Sequence, residues 1–190
     1  MFNPWNLDAL IEVEKETGRN VFVVHQLCYH PEIIKLREKV LNGQQDKVYN
    51  VELTYITPLG KWYQYSWKGV IQKSGGITTN IGIHLFDLLL WIFGPAKKNE
   101  VKFASSLKAS GKLLLQKAEV NWLLSTHAED ISVDIEGTSF RNLAVDGEDI
   151  ILDHDFNLLH IHVYRAILKG EGTRLSDAME SLKLIYQLRN

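Results

Sequence analysis

Cysteine is nearly absent. Cys28 is the single one in 190 residues, so neither an internal disulfide framework nor a cysteine-based zinc site can form. A reducing cytoplasm is the default compartment for such a chain. The opening "MFNPWNLDALIEVEKETG" has no basic stretch followed by an apolar core, so it does not read as a signal peptide. No apolar run reaches the roughly 18 residues that span a bilayer. The longest, Leu88 to Phe93, is a core segment, so no membrane partner is expected. Positive charge is not in excess: 21 Lys and Arg stand against 23 Asp and Glu, a formal net charge of −2. That balance argues against a broadly basic nucleic-acid surface. Low-complexity tracts, repeats of solenoid period and a G-K-[S/T] P-loop are missing as well. What remains is an ordinary globular composition, 45% hydrophobic, in a chain about one domain long.

Residues 6 to 17 carry Leu7, Leu10, Ile11 and Val13 at helical spacing, stopped by Gly18. "VFVVHQL" (21 to 27) is short, apolar and β-branched and reads as a buried strand. A helix is expected after Pro31, closed by Asn42-Gly43. "KVYNVELTYIT" and "KWYQYSWKG", split by Pro58-Leu59-Gly60, read as a strand pair. Beyond Gly94-Pro95, "EVKFASSLK", "LLLQKAEVNWLLSTH", "ISVDIEG", "FRNLAVDG" and "EDIILD" read as strands joined by turns. Helices near 156 to 169 and 176 to 189 finish the chain, the second with Ser176 as N-cap. The pattern predicts an α+β fold, a large, mostly antiparallel open sheet with helices on one face. The first helix–strand pair fits that sheet poorly and looks like the tail of a separate parallel α/β unit.

One helix is polar where it should not be. In "GGITTNIGIHLFDLLLWIFGP" (75 to 95), Asn80, His84 and Asp87 fall at about 0°, 40° and −20° around an ideal helix. Between Ile81 and Phe93 nothing else is polar, so the stripe is not a solvent face. Left unpaired and buried, such groups cost roughly 1–3 kcal/mol each. Three arrangements would satisfy them: a structural His–Asp pair, a metal site, or a catalytic and substrate-binding stripe. His suits the last, because its pKa lies near neutrality. No further ligands cluster nearby, so no metal is expected. Ahead of the stripe, Gly75 and Gly76 in "SGGITT" permit close backbone approach, and a helix N-terminus follows that favours an anionic or hydroxyl ligand.

The run G-G-I-T-T-N-I-G-I-H-L-F-D resembles the signature of the glucose–fructose oxidoreductase/inositol dehydrogenase family, a glycine-rich turn leading into N/D-x-G-x-H-x-x-D. The likeness is nearest to its nucleotide-sugar branch, the UDP-N-acetyl-2-amino-2-deoxyglucuronate dehydrogenases of lipopolysaccharide O-antigen assembly. "NPWNLDALIEVEKETGRNV", "HQLCYHPEIIKLREKV", "YITPLGKWYQYSWKG" and "LLHIHVYRAILKGEG" extend it over nearly the whole chain. The resemblance implies an NAD(P)-dependent dehydrogenase, with NAD expected, oxidising the C3 hydroxyl of a UDP-sugar uronate. In it, His84 would hydrogen-bond the reacting hydroxyl, Asp87 would fix the imidazole tautomer and Asn80 would position the sugar. A homodimer or homotetramer through the sheet face is expected. Rival readings are a cyclitol or glucose dehydrogenase of the same family, or a non-catalytic dimerisation module.

Members of that family are longer, and carry a G-x-G-x-x-G turn and an E-K-P motif that supplies the catalytic lysine. Neither occurs here; Gly170 and Gly172 begin a similar pattern, but Leu175 stands at its third glycine. Residues 1–27 resemble the segment after E-K-P. They are therefore expected to be the tail of a truncated dinucleotide-binding Rossmann domain, with 28–190 the substrate-binding and oligomerisation domain. On that reading Met1 is an added initiator, and the chain alone neither holds NAD nor completes the reaction. Asn80 replaces an Asp common in relatives, and Cys28 replaces their usual Arg; the plain reading of Cys28 is a buried structural thiol.

A second tier is weaker. Strand alternation in "KWYQYSWKG" would put Tyr63, Tyr65 and Trp67 on one face, as core, interface or sugar-nucleotide wall. The resemblance raises Trp67 and Lys68 as substrate contacts, together with Gly75, Gly76 and Thr79. His160 and Tyr164 share a helix face and match the family's L-H-x-x-x-Y pattern. His160 and His162 point about 200° apart on a helix and form no metal box. His25, His30, His127 and His154 have no evident partners in the sequence.

Overall fold

The computed structural model describes residues 4–131, 139–152 and 156–189. Helix α1 (Pro4–Thr17) leads through an extended stretch into a tight turn at Gln26–Tyr29. Helix α2 (Pro31–Asn42) follows, with Pro31 in its first turn and the His30 ring as its cap, accepting a bond from Glu32 N at 3.2 Å. Strand β1 (Tyr49–Ile56) comes next, then the short helices α3 (Lys61–Tyr65), α4 (Ile71–Ser74) and α5 (Gly76–Asn80). Helix α6 (Gly82–Phe93) precedes strands β2 (Ala96–Ala104), β3 (Lys108–Leu115), β4 (Ala118–Ser125), β5 (Phe140–Val145) and β6 (Glu148–Asp149). Helices α7 (Phe156–Leu168) and α8 (Met179–Leu188) complete the order.

The six strands form one sheet in the order β2-β3-β4-β1-β5-β6. Every pairing is antiparallel except the central one, where β1 runs parallel to β4 from Tyr49↔Ala118 to Ile56↔Ser125. Alternation explains which side is covered. Tyr49, Val51 and Leu53 of β1 and Val120, Trp122 and Leu124 of β4 are buried, while Asn50, Glu52, Glu119 and Asn121 point away. Against the buried side lies α6, contributing Leu85, Phe86, Leu88, Leu89, Ile92 and Phe93, flanked by α8 and α2. The approach is close because residue 82 is glycine: a Cβ there would lie 2.8 Å from Phe86 Cε2 and 3.0 Å from Leu124 Cδ1. No single helix among the described residues is long and apolar enough to cross a membrane.

Several expectations need correction. "VFVVHQL" is not a strand: only the bridge Phe22↔Arg174 forms, because no neighbouring strand lies beside it to extend the pairing. "KWYQYSWKG" is helical, over Lys61–Tyr65 and Trp67–Gly69. Its expected hairpin partner, β1, is already flanked by β4 and β5, so no edge is free. Tyr63 is therefore buried, while Tyr65 and Trp67 are exposed, and the three do not share a face. Helix α8 starts at Met179, not after Ser176; the Asp177 carboxylate instead closes a turn by accepting from Arg174 N. "LLLQKAEVNWLLSTH" is the hairpin β3–β4, and only Glu148–Asp149 of "EDIILD" pairs. The strand read at 131–137 lies, apart from Ile131, outside the described residues, as does His154. The open sheet face is mainly polar, with Asn121 Nδ2 donating to Glu52 Oε1 at 2.7 Å; an apolar face for self-association was the expectation.

Candidate active site

The polar helix of the sequence is broken. Ile81 ends α5, and residues 71–80 and 82–93 meet at a 43° bend. This puts Asn80 at the end of one short helix and His84 in the first turn of the next. Both line a cavity of about 390 Å³, together with Gln26, Tyr55, Arg141 and Asn142. Asn80 Nδ2 donates to Tyr63 Oη at 3.2 Å and, more weakly, to Lys68 O at 3.5 Å. The buried Tyr63 therefore ties the helical segment 61–69 to the cavity wall. The Arg141 guanidinium lies 5.0 Å from the Tyr55 ring, beside the cavity, and supplies a fixed positive charge that sequence reading did not single out.

Asp87 takes a different partner from the one expected. Its Oδ2 lies 2.7 Å from His25 Nδ1, not at His84. The contact has ion-pair distance without in-line hydrogen-bond geometry. Asp87 is 9% exposed and His25 6%, so the pair is buried. The His25 ring stands edge-on to His84, centroids 6.2 Å apart and planes at 87°. His84 is partly buried, and its Nδ1 is buried with no hydrogen-bond partner. Burial lowers the His84 pKa, helped by the nearby His25 and His160 and opposed by Asp87. The neutral imidazole is thus favoured near pH 7, the form able to take up a proton. His25 was passed over in sequence, although a lone polar group in "VFVVHQL" poses the question already asked of the stripe.

The other expected residues divide. Lys68 is joined to the site through its backbone, and its Nζ sits 5.9 Å from the Trp62 ring. Trp67 is exposed beside it. Gly75 and Gly76 have φ of 77° and 72° and turn α4 into α5; a Cβ at Gly75 would run into Thr79 Oγ1. Thr79 Oγ1 donates back to Gly75 O at 3.0 Å. None of Gly75, Gly76 and Thr79 lines the cavity holding Asn80 and His84. His160, on α7, lies near enough for its charge to act on His84, and α7 packs on the Gln26–Tyr29 turn. Tyr164, one turn further along, is exposed. Among the described residues no group of three His, Cys, Asp or Glu could hold a metal ion.

A second cavity, about 700 Å³, is lined by Asp87 together with Cys28, Arg37, Trp91 and Glu180. Arg37 Nε donates to Trp91 O at 3.1 Å, and its guanidinium covers the Trp91 ring at 4.1 Å. Burial, with the Asp87 charge adding and Arg37 opposing, pushes the Cys28 thiol up to about 12. A free cysteine titrates near 8.5, so at pH 8 alkylation of folded Cys28 should be roughly a thousandfold slower than of the unfolded chain. Iodoacetamide labelling followed by mass spectrometry reads this; equal rates would show an accessible thiolate and overturn it.

Comparison with known proteins places the chain in a family. Residues 37–139 match the family described as "Oxidoreductase family, C-terminal alpha/beta domain". Two structures of the WlbA (WbpB) dehydrogenase from Thermus thermophilus are 39% identical to this chain. One is in complex with NAD and alpha-ketoglutarate (TM-score 0.93, covering 99% of this chain), the other with NAD and UDP-GlcNAcA (0.91 and 98%). The chain spans 61% of each. The WlbA dehydrogenase from Bordetella pertussis, in complex with NADH and UDP-GlcNAcA, shares the fold at 17% identity and a TM-score of 0.75, over 98% of this chain and 66% of its own. The putative oxidoreductase YteT of Bacillus subtilis is 31% identical over 89 residues, 46% of this chain and 21% of that protein. More than half of the sequence falls inside the matched region, and the chain belongs to the glucose–fructose oxidoreductase/inositol dehydrogenase family of oxidoreductases, in its C-terminal α/β domain.

Proposed function

We propose that this chain is the substrate-binding domain of an NAD-dependent dehydrogenase that oxidises the C3 hydroxyl of a UDP-sugar uronate in lipopolysaccharide O-antigen assembly. The carrying observation is the cavity where Asn80 and a neutral-favouring His84 meet beside Arg141. Oxidation of a secondary alcohol to a ketone removes a hydride from carbon and a proton from oxygen. The nicotinamide, when bound, accepts the hydride. His84, hydrogen-bonded to the hydroxyl, shares in taking the proton. Asn80 orients the sugar, and Arg141 and Lys68 offer positive charge to the uronate or diphosphate. Trp67, and more weakly His160 and Tyr164, extend the substrate wall. Thr79, Gly75 and Gly76 act through the turn that sets Asn80. Both structures at 39% identity carry NAD and one of them carries UDP-GlcNAcA, which supports this substrate class.

No glycine-rich dinucleotide turn and no E-K-P lysine occur in these residues, so the cofactor site is assigned to residues beyond this sequence. Residues 1–27 are taken as the edge of that unit. A homodimer or homotetramer through the open sheet remains part of the proposal, with polar pairing in place of an apolar seal.

Isothermal titration of this chain tests the reading. UDP-GlcNAcA should give saturable heat that His84→Ala weakens, while NAD gives none. Micromolar NAD binding would refute the cofactor assignment. Tight self-association in sedimentation with no nucleotide-sugar binding would instead make the chain a non-catalytic assembly module.

A further inference from the structure

His25 reaches the site from the extended stretch between α1 and the Gln26–Tyr29 turn. Asp87 and His84 come from α6, one turn apart, yet the carboxylate meets His25. His25 thus touches Asp87 and also packs edge-on to the His84 ring. The groups around them are His160 on α7, which acts on His84, and Cys28 in the turn, which Asp87 and Arg37 of α2 influence in opposite senses. A buried polar pair of this kind is not explained by stability alone, because apolar residues of similar volume often serve stability equally well.

We propose that His25 is a positioning residue of this site: it contacts Asp87 and packs edge-on to His84, so that the Asp87–His25 pair acts on His84 as one unit. The activity part of this inference rests on His84 being the proton-transfer group; the coupling itself does not. The two members of the pair push His84 in opposite directions. His25 disfavours positive charge on the His84 ring, whereas Asp87 favours it. Removing one member alone therefore unbalances the other. A structural role for His25 would lower stability without giving two substitutions effects of opposite sign.

Imidazole NMR titration of His84 in this chain reads the coupling directly. In His25→Asn, which keeps an N–H toward Asp87 and removes the imidazole that lowers the His84 pKa, the His84 midpoint should rise. In Asp87→Asn it should fall. Each shift should be about half a pH unit or more, the size of one charge near 6 Å in a water-like dielectric. Shifts in the same direction, or no shift in either, overturn the proposal. If His25→Asn fails to fold, His25→Gln serves in its place, with the same sign expected and the same result overturning it. In the enzyme with its cofactor unit, the acid limb of the kcat/KM profile should move with the NMR midpoints. Opposed NMR shifts without movement of that limb would leave the coupling standing and sink the proton-transfer role of His84.

Discussion

His84→Ala in the enzyme with its cofactor unit should lower kcat by roughly 10²–10⁴, the usual contribution of a positioned proton-transfer group. The ring lines the cavity beside Asn80, and burial with two neighbouring imidazoles keeps it in the proton-accepting form. Alanine keeps the cavity and removes the acceptor, so substrate affinity should change less than turnover. The fold should survive. His84 is only partly buried, and its Nδ1 has no hydrogen-bond partner, so truncation removes an unsatisfied group along with some packing. Steady-state rates and a melting curve on the same preparation decide the matter. Normal turnover with a melting point many degrees lower would mean that His84 is structural.

Phe86→Ala, two positions along the same helix, should do the reverse. Phe86 is fully buried and meets Trp122 edge-on at 5.2 Å, in the space that Gly82 leaves open. Removing a buried phenyl ring typically costs 3–5 kcal/mol, part lost transfer energy and part unfilled cavity, so a loss of roughly that size is expected here. For a chain of this length it corresponds to a melting temperature lower by roughly 6–20 °C. Chemical denaturation should show the loss in midpoint with the slope unchanged. A loss below about 1 kcal/mol would mean that the helix–sheet seam collapses around the gap and is not tightly packed. The two substitutions together separate what α6 does for the core from what it does for the cavity.

The site was legible in sequence only along one helix. Asn80 and His84 stood out because nothing else between Ile81 and Phe93 is polar, and both do line one cavity. Asp87 stood out for the same reason, but its partner did not. An i,i+3 spacing suggests a local pair, whereas His25 arrives from far along the chain, and no period encodes that meeting. Arg141 was hidden similarly, inside "FRNLAVDG", which was read only as one strand among several. The fold class was legible in the strand-like runs joined by turn signals, with helices grouped apart from them. The segment 61–69 went wrong for a definite reason: aromatic and β-branched residues favour strands only where a neighbouring strand is available. Here β1 has β4 on one side and β5 on the other. The break at Ile81 was missed because the stretch was read as one ideal helix; the glycine after it, Gly82, is the contact that seats α6 on β4.

The parallel β1–β4 pair has a consequence for the order in which this chain can assemble. Hairpins β2–β3 and β3–β4 close short loops, but Tyr49 must find Ala118 across α3 to α6 and two strands. Closure entropy grows with the length enclosed, so the sheet's central seam closes late, after its edge is in place. The loop it closes contains Asn80, His84 and Asp87, and the cavity borders β1 itself at Leu53, Thr54 and Tyr55. The cavity therefore cannot exist in a partly folded chain. It also takes Arg141 and Asn142 from β5, so ligand capacity waits until β5 has paired with the other edge of β1, and a nascent chain released before β5 has no complete site to misuse.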